Sequence, residues 1–169
     1  MSEVMLRKLS DNDLPRVIEI LSYWNMAPVE PTATVPVVET TGLEPERTTI
    51  AIVRHKIVGV ASYIVLDNGW AETVSLAVDP AWRGHGIGEK LQIARLKEMK
   101  KIGIQNVKTE SDRPEVIGWY IRKFGYRVAG TSPKKHDFCR HDVTHWTVLN
   151  LDLRKWHPRG AVTASSANP

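Results

Sequence analysis

The chain has 169 residues, is 42% hydrophobic, and carries 23 Lys/Arg against 19 Asp/Glu for a net charge of +4. That length suits one domain with a full core and would cramp two; no apolar run approaches the roughly 20 residues of a membrane-spanning helix, and Met1-Ser2-Glu3-Val4 lacks the basic-then-apolar order of a signal peptide. A single cysteine, Cys139, excludes an intrachain disulfide and suits a reducing compartment, so a soluble cytoplasmic protein is expected.

Met5 to Leu9 reads as a first strand. Ser10 or Asp11 then caps a helix that Leu14, Pro15, Val17, Ile18 and Leu21 carry to about Trp24. Residues 27 to 47 break the pattern: Pro28, Pro31, Pro36 and Pro45, with Glu30, Glu39, Glu44 and Glu46 against Arg47 alone, make an acidic excursion, either a binding loop or an irregular connection. Thr48 to Val53 and Ile57 to Leu66 are β-branched strands joined at His55-Lys56, and Asp67-Asn68-Gly69 turns into a strand from Trp70. In that strand strict alternation puts Glu72, Val74, Leu76 and Val78 on one face.

After Val78-Asp79-Pro80 comes Arg83-Gly84-His85-Gly86-Ile87-Gly88, then a helix to Ile102 with Ile87, Leu91, Ala94 and Ile102 as its apolar stripe and Gly103 as its stop. Ile104 to Thr109 is a strand, and Pro114 to Phe124 a helix lined by Val116, Ile117, Tyr120, Ile121 and Phe124. Tyr126 to Ala129 and Val143 to Leu153 are closing strands. The expected domain is therefore 1–153, with 154–169 a tail without periodicity.

Charge is unevenly spread. Residues 1–82 hold six Lys/Arg against eleven Asp/Glu, whereas residues 83–140 hold fourteen against six, so the glycine turn opens the basic part of the chain. A glycine-rich strand-to-helix turn lets backbone N–H groups approach a phosphate at the positive end of a helix. Spacing narrows the ligand. Gly84, Gly86 and Gly88 are two apart, which does not fit the dinucleotide pattern G-x-G-x-x-G, and Glu89-Lys90-Leu91 does not complete a Walker loop. The residues do fit R/Q-x-x-G-x-G/A through Arg83, Gly86 and Gly88.

On that match, and on the order of elements around it, the chain resembles the GNAT superfamily of acyl-CoA-dependent N-acyltransferases. The resemblance implies an α/β (α+β) fold: a mixed, mostly antiparallel sheet of about seven strands flanked by helices. It implies acetyl-CoA as donor, its pyrophosphate held by the backbone of Arg83, Gly84, His85, Gly86, Ile87, Gly88 and Glu89, and its pantetheine arm along Leu76, Ala77 and Val78. Ala71-Glu72-Thr73-Val74 resembles a segment that carries the catalytic glutamate in some such enzymes, which makes Glu72 the candidate base and Glu110 its reserve; the alternative for Glu72 is an ion pair near a strand end. Tyr120 is the candidate acid for the leaving thiolate, although it stands five residues before Gly125 where the common arrangement has four, a difference of about 100° around a helix; the alternative is a core aromatic.

His136, Cys139, His141 and His145 match no common zinc spacing, so no metal is expected. Cys139 has no identifiable paired base to make it a nucleophile. The expected activity is transfer of an acetyl group to a primary amine by direct attack in a ternary complex, with a small-molecule amine favoured over a peptide or protein acceptor. The alternative is an acyl-CoA-binding regulatory protein of the same fold. Neither nucleic acid nor membrane is an expected partner; a homodimer stays open.

Overall fold

The computed structural model describes residues 2–29 and 43–159. Most of the acidic excursion, from Glu30 to Gly42, lies outside the described residues, as does the last stretch of the tail, 160–169.

Seven strands form one sheet: β1 (Met5–Lys8), β2 (Thr48–Val53), β3 (Lys56–Val65), β4 (Trp70–Val78), β5 (Asn106–Ser111), β6 (Arg127–Pro133) and β7 (His145–Asp152). Their order is β1-β2-β3-β4-β5-β7-β6, antiparallel except for β4 with β5. The helices are α1 (Leu14–Ser22), α2 (Ile87–Lys101) and α3 (Pro114–Phe124). The expected fold is therefore the observed one.

Ser10 and Asp13 form a capping box on the 3-10 turn Asp11–Asp13 that leads into α1, and Arg7 clamps it through bonds of 2.7 and 3.0 Å to the Asp13 carboxylate. That hydrogen-bonded guanidinium holds the Asp13 carboxyl well below the usual carboxylate range. Val17, Ile20 and Leu21 then bury against Ile50, Ile52, Val60 and Ala77 on one face of the sheet. On the other face lie α2 and α3: Ile87 and Leu91 pack on Val58 and Ala61, and Leu96, Met99, Tyr120 and Phe124 on Tyr63, Ala71, Val107 and Leu149. Gly59 is what lets α2 seat so closely, because a Cβ there would stand 2.9 Å from Leu91 Cδ1.

The buried face of α2 differs from the expected stripe. Ile102 is 55% exposed, and between Leu91 and Met99 the helix buries two polar side chains, Gln92 and Arg95. Beyond Leu153, Trp156 packs into the core with Leu153 and Tyr126, and its carbonyl accepts from Lys100 Nζ at 2.6 Å. A large apolar side chain with an adjacent core to enter is enough to hold that stretch.

A β-bulge in β4 changes what the strand presents. Ser75 pairs with Ser62 and Thr73 with Tyr63, which leaves Val74 without a partner on β3. Alternation is thereby reversed across Val74. Ala71, Leu76 and Val78 face α2, while Glu72 joins Ser75 and Ala77 on the α1 face.

Candidate active site

The parallel pairing of β4 and β5 covers only Trp70, Ala71 and Glu72 against Asn106, Val107 and Lys108. Beyond that point the strands part, with Thr73 Oγ1 and Thr109 Oγ1 hydrogen-bonded at 2.5 Å where they diverge. The opening continues into a cavity of about 540 Å³. Its walls are β4 from Thr73 to Val78, the Glu110-to-Arg113 end of β5, helices α2 and α3, and Trp24, Cys139 and Trp146 from the α1 side.

Gly84 and Gly86 have φ of +80° and +75°, the left-handed region that side chains with a Cβ resist. Gly86 is the N-cap of α2 and, having no side chain, caps nothing, so the first N–H groups of the helix stay available to an anion at its positive end. Of the residues expected to hold coenzyme, Leu76, Ala77, Val78, Arg83, Gly84, Gly86, Ile87, Gly88 and Glu89 line the cavity. The His85 ring does not: its Nδ1 folds back on the Arg83 and Trp82 carbonyls at 2.9 and 3.1 Å, which puts the proton on Nδ1.

Along β4 the open edge has its own logic. Asp79 N donates to Val58 O on the β3 side at 2.8 Å, and Val78 O faces the opposite edge, where Trp24 Nε1 donates to it at 3.0 Å. By strand alternation Leu76 offers its N–H and C=O to that same open edge and Ala77 turns its own towards β3. Two guanidinium groups lie over the Trp24 indole, Arg83 at 5.0 Å and Arg113 at 5.1 Å from its ring centre.

The carboxylates do not fall as alternation alone predicts. Glu72 is buried but does not line the cavity, and its Oε1 lies 3.8 Å from Lys108 Nζ. The expectation that it shares a face with Leu76 and Val78 is corrected by the bulge at Val74. Glu110, the reserve candidate, does line the cavity, and its carboxylate is 3.1 Å from the same Lys108. Glu72, Lys108 and Glu110 thus form a ladder, with Glu110 at the end that opens into the cleft.

Tyr120 is 4% exposed and lines the cavity, whereas Ile121 is 39% exposed. Gly125, in the left-handed region, ends α3 with its N–H on Ile121 O, and the Tyr126 N–H returns to Tyr120 O. The five-residue spacing therefore still delivers a tyrosine to the cleft. Sequence reasoning passed over Arg95, which also lines the cavity and donates to Tyr120 Oη at 3.4 Å; the missed signal was an arginine at a core position of α2. It passed over the pairing of Asp112 with Lys134 as well, at 2.6 Å, with side chains only 2% and 6% exposed.

Burial pushes the Cys139 thiol up to about 12, with the nearby Asp112 carboxylate adding to the effect. A thiol in that state is no nucleophile at neutral pH. Alkylation of Cys139 by iodoacetamide at pH 7.5 should be at least about a hundredfold slower than that of free cysteine; a comparable rate, followed by mass spectrometry, would contradict the half-buried, protonated state. Among the described residues no group of three or more His, Cys, Asp or Glu is placed to hold a metal ion, and no helix is long and apolar enough to cross a membrane.

The architecture is thus a mixed sheet that splits between β4 and β5, with a glycine turn and an uncapped helix at the mouth of the split. The chain belongs to the Acetyltransferase (GNAT) family, whose model matches residues 16–126, a family of enzymes that use acyl-CoA. Among solved structures it is similar to Ard1 from Thermoplasma volcanium, with 20% identity over 88% of this chain and 96% of that one and a TM-score of 0.69. It is also similar to the ribosomal-protein-S18-alanine N-acetyltransferase from Escherichia coli, with 19% identity, 89% and 94% coverage and a TM-score of 0.65. The N-acetylglutamate synthase from Neisseria gonorrhoeae, complexed with coenzyme A and L-arginine, matches 88% of this chain with 33% of its own, at 18% identity and a TM-score of 0.61. At these identities the likeness establishes the fold.

Proposed function

We propose that the protein transfers the acetyl group of acetyl-CoA to the primary amine of a small molecule, by direct attack while both substrates are bound. The observation that carries this reading is the cleft between β4 and β5, with the uncapped N-terminus of α2 at one end and both Tyr120 and Glu110 in its lining. Backbone N–H groups at the start of α2 would hold the pyrophosphate, and the free edge of β4 at Leu76 would meet the amides of the pantetheine arm. Two buried polar atoms of the cleft wall, Ser75 Oγ and Trp146 Nε1, have no hydrogen-bond partner among the described residues and suit a polar ligand that fills the space.

Acetyl-CoA supplies an activated acyl group on a thiol that must leave. Glu110 takes the proton of the incoming amine, directly or through one water, from the α1 face of the sheet. Tyr120, on the α2 and α3 side, gives its proton to the departing sulfur. Backbone N–H groups beside the bulge stabilise the negative charge on the acyl oxygen. Trp24 and Trp146 wall the acceptor side together with Cys139, which favours a small amine over a folded protein. The donor is an intracellular thioester and Cys139 is free, so we place the enzyme in the cytoplasm. Incubation with acetyl-CoA and a panel of primary amines should release thiol in step with acetyl-amine formation. Coenzyme binding without turnover of any amine would sink the proposal.

A further inference from the structure

The geometry points to Arg95 as a positioning residue that aims the Tyr120 hydroxyl into the cleft and fixes the bulge of β4 beside it. This inference rests on the role given to Tyr120 above and deepens it.

Arg95 is 2% exposed, one of the most completely buried large side chains in the protein. All five of its N–H groups are engaged, and all by uncharged oxygens. Nη1 donates to Ser62 O at 2.9 Å and to Ser75 O at 2.6 Å, the carbonyls of the residue pair at the edge of the bulge. Nε donates to Gln92 Oε1 at 3.0 Å, and Nη2 to the same oxygen and to Tyr120 Oη at 3.4 Å. The amide end of Gln92 in turn donates to Tyr126 Oη at 3.1 Å, which fixes the orientation of that amide.

A buried guanidinium with no carboxylate among its partners is costly to desolvate. The need to satisfy two carbonyls at an irregularity in the sheet accounts for Nη1 and for no more. The bond to Tyr120 is different in kind. A phenol oxygen that accepts from arginine keeps its own O–H free to donate, and Tyr120 is among the residues that line the cleft. The donor to Tyr120 is therefore also what turns its proton outward.

Charge acts in the same direction. As the amine nitrogen bonds to the acyl carbon, the C–S bond breaks with its electron pair on sulfur, and Tyr120 gives that sulfur its proton. The phenolate left behind lies beside a buried, fixed positive charge, where such an interaction is stronger than in bulk water. Solvent returns the proton once the thiol has left. Lysine at 95 cannot reproduce this, because a single ammonium cannot span Ser62 O, Ser75 O and Tyr120 Oη as a planar fork does.

Two measurements test the inference. With an amine that wild type acetylates, Arg95→Met should lower kcat about a hundredfold, as should Tyr120→Phe, with the KM for acetyl-CoA changed less than about threefold. The double variant should be no more than about threefold slower than Tyr120→Phe, because both substitutions remove one function. A double variant that loses the product of the two factors, or an Arg95→Met variant with wild-type kcat, overturns the inference while leaving the acetyltransferase reading intact. Arg95→Lys supplies the same comparison where Arg95→Met does not fold; kcat retained in it overturns the inference too. The second measurement needs no acceptor. The chain has four tyrosines, so in protein labelled with [ζ-13C]tyrosine the resonance missing from Tyr120→Phe is identified directly, and it should move in Arg95→Lys. A resonance that stays in place overturns the hydrogen bond, whatever the protein acetylates.

Discussion

Glu110→Gln should lower kcat by about two to three orders of magnitude near neutral pH, with the KM for acetyl-CoA almost unchanged, the signature of a lost proton acceptor. Glu72→Gln should cost less than about fivefold in the same assay. The two carboxylates share a face and a partner, so the contrast is informative. Lys108 Nζ lies 3.1 Å from Glu110 and 3.8 Å from Glu72, but only Glu110 stands past the point where β4 and β5 separate, within reach of a substrate in the cleft. Raising the pH should shrink the Glu110→Gln defect, since an amine that is already neutral needs no base. Rate measurements from pH 7 to 10 check both statements, and a Glu72→Gln variant slower than Glu110→Gln would reverse the assignment.

The choice between those residues shows where sequence reasoning reaches its limit. The glycine turn was legible because positive φ, missing Cβ atoms and spacing leave their mark on single positions, and the seven strands were legible because burial of one face imposes a period on each. A bulge leaves no such mark. Ala71-Glu72-Thr73-Val74 alternates cleanly when read alone, and only the pairing of Thr73 with Tyr63 and Ser75 with Ser62 reveals that Val74 is an extra residue. One extra residue moved Glu72 to the other face.

Polar residues in the core were hidden for a related reason. A search for an apolar stripe on α2 treats Gln92 and Arg95 as solvent-facing and so rotates the buried face away from them, towards Ile102, which is exposed. Apart from Gln92 one turn before it, what holds Arg95 inside lies on β3, β4 and α3, far along the chain. Tyr120 shows the reverse: its spacing to Gly125 suggested a misplaced side chain, but the direction of a helical residue depends on how the helix is seated as well as on where it stops.

Between β6 and β7 a segment rich in charged residues holds a buried ion pair that its sequence does not announce. Lys134 Nζ donates to Asp112 Oδ2 at 2.6 Å and to the Phe138 and Arg140 carbonyls at 2.8 Å each, which uses all three of its N–H bonds. Asp112 Oδ2 also accepts from Arg140 N at 2.8 Å, and the ammonium lies 4.5 Å from the centre of the Trp146 ring. The pair thus ties the segment that carries Cys139 to the end of β5 and sets Trp146 against the cleft.

Lys134→Met should destabilise the protein by about 3–5 kcal/mol, because it strands a buried carboxylate as well as two carbonyls. For a chain of this size that corresponds to a fall in Tm of roughly 10 °C or more. Combining it with Asp112→Leu, which removes the stranded charge, should recover part of the loss, a result that surface ion pairs do not give. Urea unfolding of the four proteins supplies the cycle, and a loss below about 1 kcal/mol for Lys134→Met would mean that water reaches the pair. In whatever fraction stays folded, the proposed function has the KM for the amine rise further than that for acetyl-CoA, since Cys139 and Trp146 wall the side of the cleft it assigns to the acceptor, while the glycine turn before α2 is anchored independently through Ile87 and Leu91.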